Sequence, residues 1–187
     1  LRPHLKWLTI PDYRHVYYMD GPVKVFDAKI FSADTTHPGG WGTVLLAGMR
    51  YGGGNRNIDV DGNGLGTGTD HDFYSAYVLL DVTNPEVAPT LLAEIQGSNF
   101  SSMGFTLNEP TVAGFVDAAS STNEWYLLIG NGPDSLTAAT SSGRAGLYVY
   151  DLKTLSFETG FNPYANASVM PASSFVSGSV SVDWDLD

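Results

Sequence analysis

Trp41-Gly42-Thr43-Val44-Leu45-Leu46-Ala47-Gly48 is an apolar run that follows a turn ending at Gly40 and stops where glycines and polar residues take over. Its length and lack of a helical period predict a β-strand. The run recurs as Trp125-Tyr126-Leu127-Leu128-Ile129-Gly130, and Tyr77-Val78-Leu79-Leu80-Asp81 recurs as Leu147-Tyr148-Val149-Tyr150-Asp151. The order is the same in both copies, so the chain carries an internal repeat.

Each copy opens on a proline-led strand, Pro22 to Asp27 and Pro110 to Asp117. Each closes on a further apolar segment, Thr90 to Ile95 and Leu155 to Phe161. Four antiparallel strands joined by turns and then repeated predict an all-β chain built from β-propeller blades. The expected layout is one domain over residues 1–187, with blade-like repeats at roughly 22–95 and 110–161 and the start of a third at 178–187. Two blades and a fragment fall short of the four to eight that close a ring. The expectation is therefore a fragment of a larger propeller, with both chain ends read as cut; a two-sheet sandwich is the alternative architecture. Trp41 and Trp125 are read as equivalent repeat positions that pack the blades, and His15 to Gly21 as a strand ending in a turn.

Composition narrows the partners. The chain has 187 residues, 43% hydrophobic and 16% charged, enough for a sizeable core. Its 20 acidic residues against 9 Lys and Arg give a net charge of −11, which a phosphate backbone or an anionic membrane repels. Nucleic acid is not an expected partner. The absence of cysteine excludes disulfides, thiolate metal sites and a cysteine nucleophile. No apolar run is long enough to predict a transmembrane segment.

The two copies differ in one place. Gly48 lies 33 positions before Asp81 and Gly130 lies 21 before Asp151; the difference, 12, is the length of Asp59-Val60-Asp61-Gly62-Asn63-Gly64-Leu65-Gly66-Thr67-Gly68-Thr69-Asp70. This stretch reads as an insertion into one copy of a shared unit. It places oxygen-bearing side chains at loop positions 1, 3, 5, 9 and 12 and glycine at position 6, the spacing of an EF-hand calcium loop. A hard cation needs several oxygens converging on one point, and alternate residues of a tight turn supply them. Asp59, Asp61, Asn63 and Asp70 would give side-chain oxygens, Leu65 its carbonyl, and Thr67 a hydroxyl or a bridging water. Calcium is the expected cofactor. Position 12 is Asp rather than Glu and the flanks read as strands rather than helices; the competing reading is a solvated turn.

His15 to Gly21, Trp41 to Gly48, Asp81-Val82-Thr83-Asn84-Pro85, Met103 to Pro110, Trp125 to Gly132 and Leu147 to Asp151 together resemble, in this order, the C-terminal β-propeller of PilY-type proteins. These are tip-associated adhesins and assembly factors of bacterial type IV pili. The resemblance implies a propeller whose calcium loops regulate pilus extension, retraction and surface attachment. It also implies minor pilins and surfaces or receptors as partners, and export to the periplasm, cell surface and pilus tip. The family's D-x-D-x-D-x-x-x-D loop follows a blade's first strand. Asp183, Asp185 and Asp187 match its first three acids and form a possible second, truncated metal loop.

Two other classes compete. Calcium-using quinone-cofactor dehydrogenases also adopt propellers, but the charged and aromatic constellation such a site needs is not identifiable here. No G-x-S-x-G, H-E-x-x-H or phosphate-binding glycine motif is present, and His4, His15, His37 and His71 read as isolated. The expectation is that the chain is not an enzyme. A calcium-dependent carbohydrate-binding module is the other alternative, with Phe73 and Tyr74 as the aromatics nearest the loop.

Overall fold

The computed structural model describes residues 17–52, 56–59, 63–64, 66–68, 70–96, 103–117, 122–134, 143–158, 170–171 and 173–180, with single positions 5, 8, 9 and 11. Its strands are β1 (Val23–Lys29), β2 (Trp41–Gly48), β3 (Arg56–Asp59), β4 (Asp70–Phe73), β5 (Tyr77–Asp81), β6 (Thr90–Ile95), β7 (Thr111–Asp117), β8 (Thr122–Gly130), β9 (Leu147–Asp151) and β10 (Ser156–Phe157). They form a four-stranded sheet β1-β2-β5-β6, a second sheet β7-β8-β9-β10, and a separate β3-β4 hairpin. Every pairing is antiparallel. The chain is all-β, and its two meanders have the form of two successive propeller blades.

The repeat holds at the level of single hydrogen bonds. Gly48 pairs with Tyr77 and Val44 with Asp81; Gly130 pairs with Leu147 and Tyr126 with Asp151. The amide of Met49 donates to Ala76, as that of Asn131 does to Gly146; Val82 donates to Thr43, as Leu152 does to Trp125. In this register Trp125 corresponds to Thr43, not to Trp41, which corrects the equivalence read from the sequence. Register is set where each strand meets the next one, and the two tryptophans stand seven and five residues before their glycines. They meet all the same, ring centroids 5.6 Å apart and nearly perpendicular. The recurring aspartates end their strands alike: Asp81 accepts the Thr83 amide and Asp151 the Lys153 amide, each two residues on, closing a turn.

Side chains alternate across a strand, so each sheet offers one face to the other. Val44, Leu46, Tyr77, Leu79 and Ile95 of the first sheet share a single core with Leu127, Ile129 and Tyr150 of the second and with Leu152, just after β9. Burial pushes the Tyr77 phenol well above its ordinary range, and its hydroxyl donates to the carbonyl of Asn108. Asn108 in turn donates from its amide to the carbonyls of Gly130, Asn131 and Val176. One buried residue, through its carbonyl on one side and its side-chain amide on the other, thereby links both sheets to the segment that follows them.

Four expected strands differ. Tyr17–Asp20 form no ladder, and His15 and Val16 lie outside the described residues. Pro22 has no N–H to donate, and pairing begins at Val23. Of Leu155 to Phe161, residues 159–161 lie outside the described residues, and among the rest Ser156 and Phe157 pair, opposite Asp151 and Tyr150. Gly178–Val180 carry no strand either, and residues 181–187 lie outside the description. Thr111, the counterpart of Lys24 by register, donates from its hydroxyl to the carbonyl of Ser179, as Lys24 donates to that of Pro110. The segment thus meets the second sheet as the start of β7 meets the first.

Leu79 is fully buried in the shared core and Val25 is 57% exposed on the opposite face of the same sheet. Leu79→Ala is expected to cost about 2–5 kcal/mol in urea unfolding, and Val25→Ala about 0.5 kcal/mol or less. Equal costs would contradict the shared core.

Candidate metal-binding hairpin

The connection from β2 to β5 leaves the sheet at Met49 and returns at Ala76, closed by the Met49 amide on the Ala76 carbonyl at 2.9 Å. Between these points β3 and β4 form a hairpin with Arg56 opposite Phe73, Asn57 opposite Asp72, Ile58 opposite His71 and Asp59 opposite Asp70. Positions 1 and 12 of the calcium-type stretch are therefore direct cross-strand partners. Opposed residues in an antiparallel pair have Cα atoms about 4.5–5.5 Å apart, and like charges so placed repel. With a period of two, Asn57 and Asp72 occupy the same face of the ladder as Asp59 and Asp70. The sequence reading passed over these two, because only the pairing register aligns them with the loop ends.

Asn63 and Thr67 lie in the described part of the loop, both exposed. The Thr67 amide donates to the Gly64 carbonyl at 3.1 Å. Gly64, at position 6, has φ +103°, and a Cβ there would meet nothing within 4 Å. Backbone conformation and not space calls for glycine at the bend. Asp61 and Leu65 lie outside the described residues, as do Asp183, Asp185 and Asp187. Among the described residues no group of three or more His, Asp or Glu forms a metal cluster; the side chains of Asp59 and Asp70 are not part of that description. The backbone frame, with opposed acidic ends, a left-handed glycine at the bend and oxygen-only donors, fits a hard cation better than a soft one.

A second polar cluster was not legible in the sequence. His37, read there as isolated, places Nε2 3.0 Å from Asp81 Oδ2 and Nδ1 3.1 Å from Asp34 Oδ1, and its ring stacks on Phe31 at 4.1 Å. Asp81 comes from β5, 44 residues away. The Thr83 hydroxyl donates to the other oxygen of Asp81. This cluster ties the β1–β2 connection to the turn after β5.

The His37 amide, assisted by the Thr36 amide and the His37 ring, holds the Asp34 carboxyl below its ordinary value. Burial pushes Asp81 up, but the Thr83 hydroxyl and amide and the His37 ring outweigh it, and its carboxyl also lies low.

No family model matches the chain, and no solved structure does. Two curated proteins do match. One is 28% identical over 153 residues, covering 81% of this chain and 8% of its own; the other is 28% identical over 155 residues, covering 81% and 9%. Each is named as a type IV pilus biogenesis factor PilY1 homolog, from Xylella fastidiosa strain Temecula1. The chain is related to the PilY family. It spans under a tenth of the length of these PilY1 relatives. Among the described residues no helix is long and apolar enough to cross a membrane.

The two depressed carboxylates carry a pH signature. Their stabilisation is complete above the unfolded value of 3.8 and is lost as pH falls through the lower folded values. In urea unfolding from about pH 5 down to about pH 2, Asp81→Asn is expected to lose stability less steeply than the wild type. Parallel curves would remove Asp81 as a source of acid sensitivity.

Proposed function

We propose that this chain is a calcium-binding propeller segment of a type IV pilus biogenesis protein, acting in pilus assembly, in control of extension and retraction, and in surface adhesion. The similarity to PilY1 homologs across four-fifths of the chain carries the reading. It is supported by the calcium-type stretch, whose first and last residues face each other across the hairpin. The segment is non-enzymatic, its partners are minor pilins and surfaces or receptors, and it works outside the cytoplasm, in the periplasm and at the pilus tip.

Asp59, Asp61, Asn63 and Asp70 would hold the ion through side-chain oxygens, Leu65 through its carbonyl, and Thr67 directly or through water. Bound calcium supplies positive charge to a loop that is otherwise self-repelling. Neutralisation then favours the ordered loop over other conformations, and the bias follows from the difference in affinity between those states.

Calorimetric calcium titration of the wild type against the double variant Asp59→Ala, Asp61→Ala tests the site, with magnesium as control. The expected outcome is a binding isotherm for the wild type, its loss in the variant, and unchanged circular dichroism. The same pair introduced into a piliated host should differ in surface motility; equal calcium isotherms would refute the metal assignment, and equal motility the pilus role of the loop.

A further inference from the structure

The root of the hairpin is fastened to a third piece of chain. Arg50 and Ser75 are the residues just beyond the closing bond between Met49 and Ala76, and Thr106 stands against both. The Arg50 amide donates to Thr106 Oγ1 at 2.9 Å, the Thr106 amide donates to Ser75 Oγ at 3.0 Å, and Ser75 Oγ donates to the Arg50 carbonyl at 2.7 Å. The two hydroxyl oxygens lie 2.8 Å apart, and Thr106 Oγ1 also reaches the Ala76 carbonyl. Ser75 and Thr106 are 2% and 1% exposed. Arg50 has φ +55°, a left-handed conformation that a non-glycine residue keeps only where its surroundings hold it.

Thr106 belongs to the segment 103–110 that joins the two sheets, and its neighbours are gripped from the other side. The Phe105 amide donates to the Pro133 carbonyl and the Gly132 amide to the Met103 carbonyl, both at 2.9 Å. A Cβ on Gly132 would stand 1.9 Å from the Phe105 carbonyl oxygen, so the two backbones are in direct contact. Tyr51, next to Arg50, packs its ring edge-on to Phe105, centroids 5.8 Å apart. A displacement of the hairpin root therefore moves Thr106 and Phe105, and with them the β8–β9 connection.

We propose that Arg50, Ser75 and Thr106 are the element through which the state of the 59–70 loop reaches the junction between the two sheets. This rests on the reading of that loop as a calcium site. Thr106 is a positioning residue here, acting on the loop only through its root. The buried hydroxyls carry the coupling because removing either one leaves buried amide or carbonyl groups without their partner.

Amide hydrogen exchange of the 187-residue chain, with and without calcium, tests it. Calcium should slow exchange at Phe105 and Gly132 roughly fivefold or more in the wild type. Thr106→Val, which keeps the size and loses the hydroxyl, should still bind calcium by calorimetry yet lose that response, and Thr106→Ser should restore it. Calcium binding with no change at Phe105 and Gly132, or a full response in Thr106→Val, would overturn the inference and leave the metal site standing. No calcium binding in the wild type would remove the metal reading and this inference with it. Ser75→Ala, studied without calcium, should speed exchange at Phe105 and Gly132 while Leu127 and Ile129 stay protected; unchanged exchange there would overturn the mechanical link itself.

Discussion

A four-stranded sheet with an apolar face cannot leave that face in water, and in this chain each sheet is the cover for the other. Leu46 and Leu79 on one side and Leu127 and Ile129 on the other retain 1% or less of their exposure. Burying apolar area of this kind is worth about 25 cal/mol per Å², and it is the favourable term that offsets ordering the long connections. The β3–β4 hairpin forms a sheet of its own, and its root is bonded to the segment that joins the two larger sheets.

That holding is polar. Asn108, Thr106 and Ser75 are buried hydrogen-bonding side chains placed where chain segments cross. Backbone groups at such crossings have no ladder partner, and side-chain hydroxyls and amides take the place of one. The apolar contacts set which faces meet, while these polar contacts set how the connecting segments lie. The Asp34–His37–Asp81 cluster does the same on another connection, tying residues 30–40 to the strand end at Asp81. The hairpin that carries the calcium-type stretch is bonded at its root to this polar network, in a chain related to PilY1 homologs.

Most of the strand order was legible because it follows from local pattern. Apolar runs bounded by glycine, proline and aspartate gave the positions of β1, β2, β5, β6, β7, β8 and β9, and the repeat gave their grouping into two sheets. Trp41 and Trp125 misled because a conspicuous residue type was matched instead of the pairing register. His37 was invisible as a clustered residue because its partner lies 44 positions away. The loop ends Asp59 and Asp70 could be named from spacing, but their opposition, and the alignment of Asn57 and Asp72 with them, is a property of the hairpin ladder.

The sequence alone determined the all-β class, the four-strand unit, its repetition and the oxygen-rich insertion, because alternation, turn residues and repeat spacing are written within short windows of chain. Tertiary structure alone decided which strand residues are equivalent, which distant carboxylates meet His37, and that the hairpin root is locked to the segment between the sheets. These depend on packing register and on hydrogen bonds between residues far apart in the chain, and no local window contains both partners.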